Sequence, residues 1–181
     1  SIVTSELSEQ LADVLNVKVY NVLTGFKYIS EILNDKSHSK EKLLLAFEES
    51  NGYMAKPFVR DKDAIQIVPL IIKYKNLLYA NNITLKDTLD DIYRTIGHYH
   101  SINLSPVFEG AEGQHKIEEI INSFRNKTIH QVCGLDVKAI EDYQLGTIEN
   151  IESGEKDDTY LPNTNLIILK FDEGFIDIRT S

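Results

Sequence analysis

The sequence predicts an α/β protein in two parts. Three observations point there. Short apolar runs alternate with segments of helical period from Ile2 to Gly97, and beyond Gly97 the pattern turns strand-like around one short helix. The 181 residues, 42% of them hydrophobic, suffice for one large or two small domains. Alternating strands and helices bury their apolar faces by layering, so residues up to Gly97 predict an α/β layer domain, with a boundary near residues 100–110.

Each element has a local reason. Ile2-Val3-Thr4 reads as a short strand fragment. Leu7, Leu11, Val14 and Leu15 recur at helical spacing, with Ser5 placed as N-cap and Asn16 as a stop. Val17 to Val22 alternates as a strand does, and Gly25 opens a second helix carrying Tyr28, Ile29, Ile32 and Leu33. Leu43 to Phe47 predicts a buried strand. A long helix from about Lys62 to Ala80 is apolar on most of its surface (Ile65, Ile67, Val68, Leu70, Ile71, Ile72), which predicts burial on several sides and a kink at Pro69. Thr84 with Asp87 three residues on forms a capping box for a helix whose core stripe is Leu85, Leu89, Ile92 and Ile96, closed by Gly97.

Beyond it, His98 to Phe108 reads as extended and Gly110 to Gly113 as a turn. Ile117, Ile120, Ile121 and Phe124 share one face of a short helix. Gln131 to Val137, Ala139 to Ile148, Asn165 to Phe171 and Gly174 to Arg179 are strand-like, with a hairpin turn over Phe171 to Phe175 and a polar loop over Gly154 to Asp158.

Composition removes several classes of function. Nineteen Lys and Arg face 28 Asp and Glu, a net charge of −9 that repels nucleic acid and anionic lipid. No run of 18 apolar residues predicts a membrane span, and no signal peptide is visible. Cys133 is the single cysteine, so a disulfide within the chain and a cysteine zinc site are both excluded; it reads as a small buried hydrophobe in a protein of the reducing cytoplasm. The first residue is Ser1 rather than Met, which reads as a chain lacking its beginning.

Three loops could carry chemistry. Glu48-Glu49-Ser50 follows the predicted Leu43–Phe47 strand. A carboxylate at a strand's C-terminal edge can accept two hydrogen bonds from vicinal sugar hydroxyls, and open α/β sheets bind ligands at that edge. Arg60-Asp61-Lys62-Asp63 opens the long helix, where a guanidinium fork, an ammonium and a helix N-terminus suit phosphate. Thr24-Gly25-Phe26-Lys27 joins a strand to a helix, with backbone amides where an anion could dock; it is no P-loop, since the chain has neither GxxxxGK[ST] nor GxGxxG. Taken one by one, each pattern has a plainer explanation: a solvated acidic loop, an ordinary capped helix with surface ions, and a turn common to every α/β fold. His98 and His100 would share a face of a strand, as a metal pair or as solvent-facing residues. His38, His115 and His130 are isolated, and no Ser-His-Asp or Cys-His nucleophile signature stands out.

Together, and in this order and spacing, Thr24-Gly25-Phe26-Lys27, Glu48-Glu49-Ser50-Asn51-Gly52-Tyr53 and Arg60-Asp61-Lys62-Asp63 resemble domain 3 of the α-D-phosphohexomutases. The likeness is to the bacterial phosphoglucomutase and phosphomannomutase members and the phosphopentomutase-like branch. The ending Ile178-Arg179-Thr180-Ser181 resembles the first residues of the family's domain 4 phosphate loop, R-[PT]-S-G-T-E-P-K, and Leu161 to Asn165 resembles the stretch before its hairpin.

The resemblance implies a three-layer α/β/α domain with a mixed sheet over residues 1–100, sugar-binding and truncated at its N-terminus. Residues 101–181 would be a partial phosphate-binding α+β domain with an antiparallel sheet, truncated in the phosphate loop. It implies substrate contacts at Thr24, Gly25, Lys27, Glu48, Glu49, Ser50, Arg60 and Lys62, and phosphate contacts at Arg179, Thr180 and Ser181. The family reaction is an intramolecular phosphotransfer. A phosphoserine donates to hexose 1-phosphate or hexose 6-phosphate, a bisphosphate forms and reorients, and the serine takes back the other phosphate, by positioning and electrostatics.

The phosphoserine loop (T-A-S-H-N-P type) and the D-G-D-x-D-R magnesium loop do not occur in this sequence. The resemblance therefore implies no catalytic residue and no metal ligand here. Mg2+ would be held by domain 2 of the parent enzyme, glucose 1,6-bisphosphate would activate that enzyme, and the partners would be a phosphosugar and the N-terminal domains of the same chain. The fragment alone is expected to be inactive. The alternatives are a phosphopentomutase, or a phosphosugar-binding module without catalysis.

Overall fold

The computed structural model describes residues 1–35 and 40–180, in two compact units, Ser1–Ile102 and Asn103–Ser181. The fold is mixed α/β, with five α-helices and antiparallel ladders among the described residues.

In the first unit, α1 (Leu7–Val14) forms where the apolar spacing places it, and the Leu7 N–H is met by Ser5 Oγ at 3.3 Å. Asn16 ends the helical stretch with a φ of 52°, a conformation Asn tolerates because its short polar side chain bonds locally. Val17–Val22 forms no ladder. It is tied to the N-terminal segment by the Ile2 N–H donating to the Val22 carbonyl at 2.9 Å. Ile2-Val3-Thr4 is a turn rather than a strand. A strand is a pairing, and alternation in one segment states only half of it.

The α2 helix (Phe26–Asn34) starts at Gly25, whose φ of 123° is closed to residues with a Cβ. It packs on a hairpin of β1 (Ala46–Phe47) and β2 (Tyr53–Met54), paired Ala46 to Met54 and Phe47 to Tyr53. Val22, Phe26, Ile29 and Met54 form the buried centre of this unit, flanked by Tyr28, Ile32, Leu33, Leu43 and Ala46. The strand is shorter than Leu43–Phe47, and Leu44 and Leu45 are exposed.

A 3-10 turn (Ala64–Gln66) leads into α3 (Ile67–Ala80). Pro69 falls in the first turn of the α-helical run, where the missing N–H has no partner to lose. The expected burial of this helix is not met: Val68, Leu70, Ile71, Ile72, Leu77 and Tyr79 are exposed. An apolar stripe states what a helix can bury and supplies no cover for it. The α4 helix (Leu85–Ile96) carries the complete capping box, with Thr84 Oγ1 accepting from the Asp87 N–H and the Asp87 carboxylate accepting from the Thr84 N–H. It lies against α1, with Ile92 and Ile96 half-buried and Leu85 and Leu89 exposed.

In the second unit, α5 (Gly110–Arg125) is longer than expected and takes in the residues read as a turn. The hairpin β3 (Gln131–Val132) and β4 (Leu135–Asp136) turns through Cys133 and Gly134 with φ of 52° and 85°, the two positive values a two-residue type I′ turn needs. Cys133 is therefore exposed, against the expectation of burial, because a turn tip has no interior.

A five-stranded antiparallel sheet follows, in the order β7 (Lys156–Asp158), β6 (Thr147–Asn150), β5 (Ala139–Asp142), β8 (Leu166–Phe171), β9 (Gly174–Arg179). The edge strand β7 replaces part of the expected Gly154–Asp158 loop; its all-polar, exposed residues suit a sheet edge. The core lies where Ile121 of α5 meets Val137, Ile167 and Leu169, with Ile117, Phe124, Ile140 and Ile178 around them. Arg125 fastens the helix end to the sheet. Its Nε donates to Asp142 Oδ2 at 2.7 Å and its Nη2 to Asn165 Oδ1 at 3.0 Å, and Asp142 Oδ1 also accepts the N–H groups of Gln144 and Leu145.

Candidate functional site

The three motif loops of the first unit meet around the Phe26 ring. The Glu48 turn hangs from the β1–β2 hairpin, and its shape is closed by the Glu48 N–H donating to the Gly52 carbonyl at 2.9 Å. The Glu48 side chain is buried and turns back beneath the loop, where Oε1 accepts the Gly25 N–H at 2.5 Å. That amide is the first of the orphan donors at the α2 N-terminus, so one carboxylate caps the helix and anchors the acidic turn to the Thr24 turn. Gly52 fits only because it lacks a Cβ: one added there would stand 2.6 Å from Phe26 Cε2 and 2.9 Å from Glu48 Oε2.

The third loop closes on the same ring. Lys62 Nζ stands 5.9 Å from the Phe26 ring centroid and 3.5 Å from Asp61 Oδ1. Ser30 of α2 donates its hydroxyl to the Arg60 carbonyl at 2.6 Å, and the Asp63 N–H donates to the Tyr53 carbonyl at 2.7 Å. Asp63 caps the 3-10 turn through Oδ1 to the Ile65 N–H, and Gln66 ties it to the strand end by accepting the N–H groups of Ala55 and Lys56. Asp61 is held below the usual carboxylate range, chiefly by the Lys62 backbone N–H it accepts.

The site residues expected from sequence fall into distinct environments. Thr24 and Gly25 are half-buried at the mouth of α2. Lys27 is exposed, with Nζ 4.6 Å from the Tyr28 ring centroid. Glu49 is half-buried and accepts the Ser1 hydroxyl at 2.9 Å. Ser50 is exposed at the tip of the turn, and the Arg60 and Lys62 side chains reach solvent. The loops that carry these eight residues are thus joined by hydrogen bonds and packing within one unit.

Arg179 and Thr180 belong to the second unit, at the end of β9 and just beyond it. Arg179 Nε is 3.8 Å from Asp177 Oδ2, and Thr180 is exposed. Ser181 and His38 lie outside the described residues. His98 and His100 stand on no strand; both are exposed, and the His98 ring sits 4.3 Å from that of Tyr93. Two residues central to the arrangement were absent from the expected site, Phe26 and Gly52. Both lie inside the quoted motifs, so their signal was position within the motif rather than chemical type. A shallow open concavity in the second unit, lined by Ile148, Asn150, Glu155, Lys156 and Asp157, carries none of the motif residues.

Comparison with known proteins bears on the same segment. Residues 1–96 match the model of the phosphoglucomutase/phosphomannomutase family, alpha/beta/alpha domain III. Over its whole length the chain is 53% identical to a phosphoglucomutase of Staphylococcus saprophyticus. It is 45% identical to phosphoglucomutases of Staphylococcus epidermidis and Staphylococcus aureus. The chain spans 33% of the length of each of these relatives. No solved structure matches it.

Proposed function

Because this chain belongs to the phosphoglucomutase/phosphomannomutase family, we propose that it is the sugar-reading part of a phosphohexomutase that interconverts hexose 1-phosphate and hexose 6-phosphate through a bisphosphate. The observation that carries this reading is the Gly25–Glu48 hydrogen bond, which joins the acidic turn to the helix mouth, with the basic loop held to the same unit through Ser30 and Tyr53. Pre-formed geometry is what phosphoryl transfer asks of a protein, since its catalysis is positioning and electrostatics.

Residues 1–100 serve in this reading as the sugar-binding domain and 101–181 as part of the phosphate-binding domain. Glu48 has one oxygen on Gly25 and offers the other to a sugar hydroxyl, while Ser50 offers its hydroxyl from the tip of the turn. Charged acceptors of this kind bind more tightly than neutral ones. Lys27, Arg60 and Lys62 supply local positive potential against a chain of net charge −9, which draws the phosphosugar toward these loops. Glu49 supports the turn, Thr24 and Gly25 line the helix mouth, and Arg179, Thr180 and Ser181 hold the phosphate remote from the reaction.

The phosphoserine donor and the magnesium belong to other parts of the parent enzyme. Among the described residues no group of three or more His, Cys, Asp or Glu could hold a metal ion. No helix among the described residues is long and apolar enough to cross a membrane. We place the enzyme in the cytoplasm, where an exposed thiol such as Cys133 stays reduced.

The test is a mutase assay of the full-length protein that carries this chain, with glucose 1-phosphate, glucose 1,6-bisphosphate and magnesium. Formation of glucose 6-phosphate is expected, and none from residues 1–181 alone. Turnover restricted to pentose 1-phosphates would overturn the hexose assignment, and turnover by the chain alone would overturn its role as a recognition part.

A further inference from the structure

We propose that Phe26 and Gly52 are a size-matched positioning pair that sets the Glu48 carboxylate for its sugar contact. This rests on the function proposed above, and neither residue touches substrate in it. Phe26 is 4% exposed, so its ring is fixed by packing against Val22, Ile29 and Met54 rather than free to swing. The ring edge fills the space beneath Gly52, where a methyl group would come within 2.6 Å of Cε2. The same methyl would stand 2.9 Å from Glu48 Oε2, the oxygen not engaged by Gly25. The backbone of residue 52 in turn holds the base of the Glu48 loop through its carbonyl.

Three constraints therefore bear on Glu48: the Gly25 amide on one carboxylate oxygen, the Gly52 carbonyl on its backbone N–H, and the Phe26 ring, which leaves no room for a Cβ at residue 52. Gly52 is needed here for space, since its φ is not among the positive values of the chain. Phe26 also faces Lys62 at 5.9 Å, so the ring that seats the acid is next to a cation of the basic loop.

The pairing makes a size-swap test possible in the full-length protein. Gly52→Ala is expected to raise KM for hexose phosphate on the order of ten- to a hundred-fold, the scale of a contact misplaced by about an ångström, with a thermal midpoint lowered by the overpacking. Phe26→Leu opens the wall, and the Phe26→Leu/Gly52→Ala double variant is expected to recover most of the lost KM. Selective glycine labelling adds a reading independent of turnover. The Gly25 amide proton, bonded to a carboxylate, is expected downfield and slow to exchange; Gly52→Ala is expected to move it upfield and speed its exchange, and the double variant to restore the protection.

An unchanged KM and unchanged Gly25 resonance in Gly52→Ala would overturn the pairing, as would additive losses in the double variant. Should Gly52→Ala fail to fold, Phe26→Leu alone decides by hydrogen exchange of the Gly25 amide: protection equal to the parent's overturns the proposal, and faster exchange supports it. Absence of mutase activity in the parent would sink the functional reading while the amide resonances still judge the pair.

Discussion

The Glu48 carboxylate accepts the backbone N–H of Gly25 at 2.5 Å across 23 residues of sequence. This bond joins an acidic turn to a helix N-terminus, and in the proposed function the same carboxylate also meets the sugar. Glu48→Gln keeps the shape and removes the charge. In the full-length enzyme it is expected to cost roughly 1.5–3 kcal/mol in kcat/KM, the scale for hydrogen bonds to charged groups. Steady-state kinetics check this, and unchanged kinetics would remove Glu48 from the sugar contact.

The capping box of α4 gives a prediction in stability and a second in pH. Thr84→Ala removes the side-chain acceptor for the Asp87 N–H and is expected to cost about 1 kcal/mol, read as a lowered urea midpoint. Asp87 is held below its ordinary value of 3.8, mainly by the Thr84 hydroxyl and then by the Thr84 N–H. A carboxylate depressed in the fold stabilises it above its unfolded pKa, and that stability is lost as pH falls through the lower, folded value. The difference between parent and Asp87→Asn is therefore constant near neutrality and closes below pH 3.8. A difference that persisted in strong acid would contradict the cap.

Arg125 and Asp142 are 10% and 8% exposed in their side chains and 2.7 Å apart, with every Asp142 oxygen engaged. Arg125→Ala leaves a buried carboxylate without its counter-charge, for which about 3–5 kcal/mol is expected. A double-mutant cycle with Asp142→Asn measures the coupling. A cost of a few tenths would show the pair to be solvated.

Ile167 has no exposure and packs in one buried cluster with Ile121, Val137 and Leu169 in the second unit. Ile167→Ala is expected to cost about 2–5 kcal/mol, the transfer term plus the cavity it leaves. Denaturant unfolding checks this, and a loss below about 1 kcal/mol would mean that the site collapses around the gap.

Local chemistry made much of the fold legible in sequence. The Thr84 box, the Gly25 start of α2, the Gly97 stop and the Phe171–Phe175 hairpin turn each depend on a few neighbouring residues, and each stands where spacing placed it. The segments that differed are those whose state depends on a distant partner. Val17–Val22 alternates and finds no ladder, Gly110–Gly113 joins a helix that Ile117 and Ile121 anchor from further on, and Lys156–Asp158 pairs because β6 lies beside it. In the candidate site, the charged and hydroxyl residues were visible by type. Phe26 and Gly52 were not, because an aromatic ring and a missing methyl acquire meaning only when they face each other.

By itself, the sequence determined the α/β class, the Gly25 start of α2, the cap and stop of α4, and the family, because propensity, capping and motif spacing are written in neighbouring residues. It also named the Thr24, Glu48 and Arg60 loops as candidates. Only the tertiary structure decided that the Glu48 carboxylate turns inward to Gly25, that Phe26 is the wall Gly52 must clear, and that the apolar stripe of α3 is uncovered. Those outcomes depend on which surfaces meet across long stretches of chain, and contact between distant residues is a property of packing rather than of order.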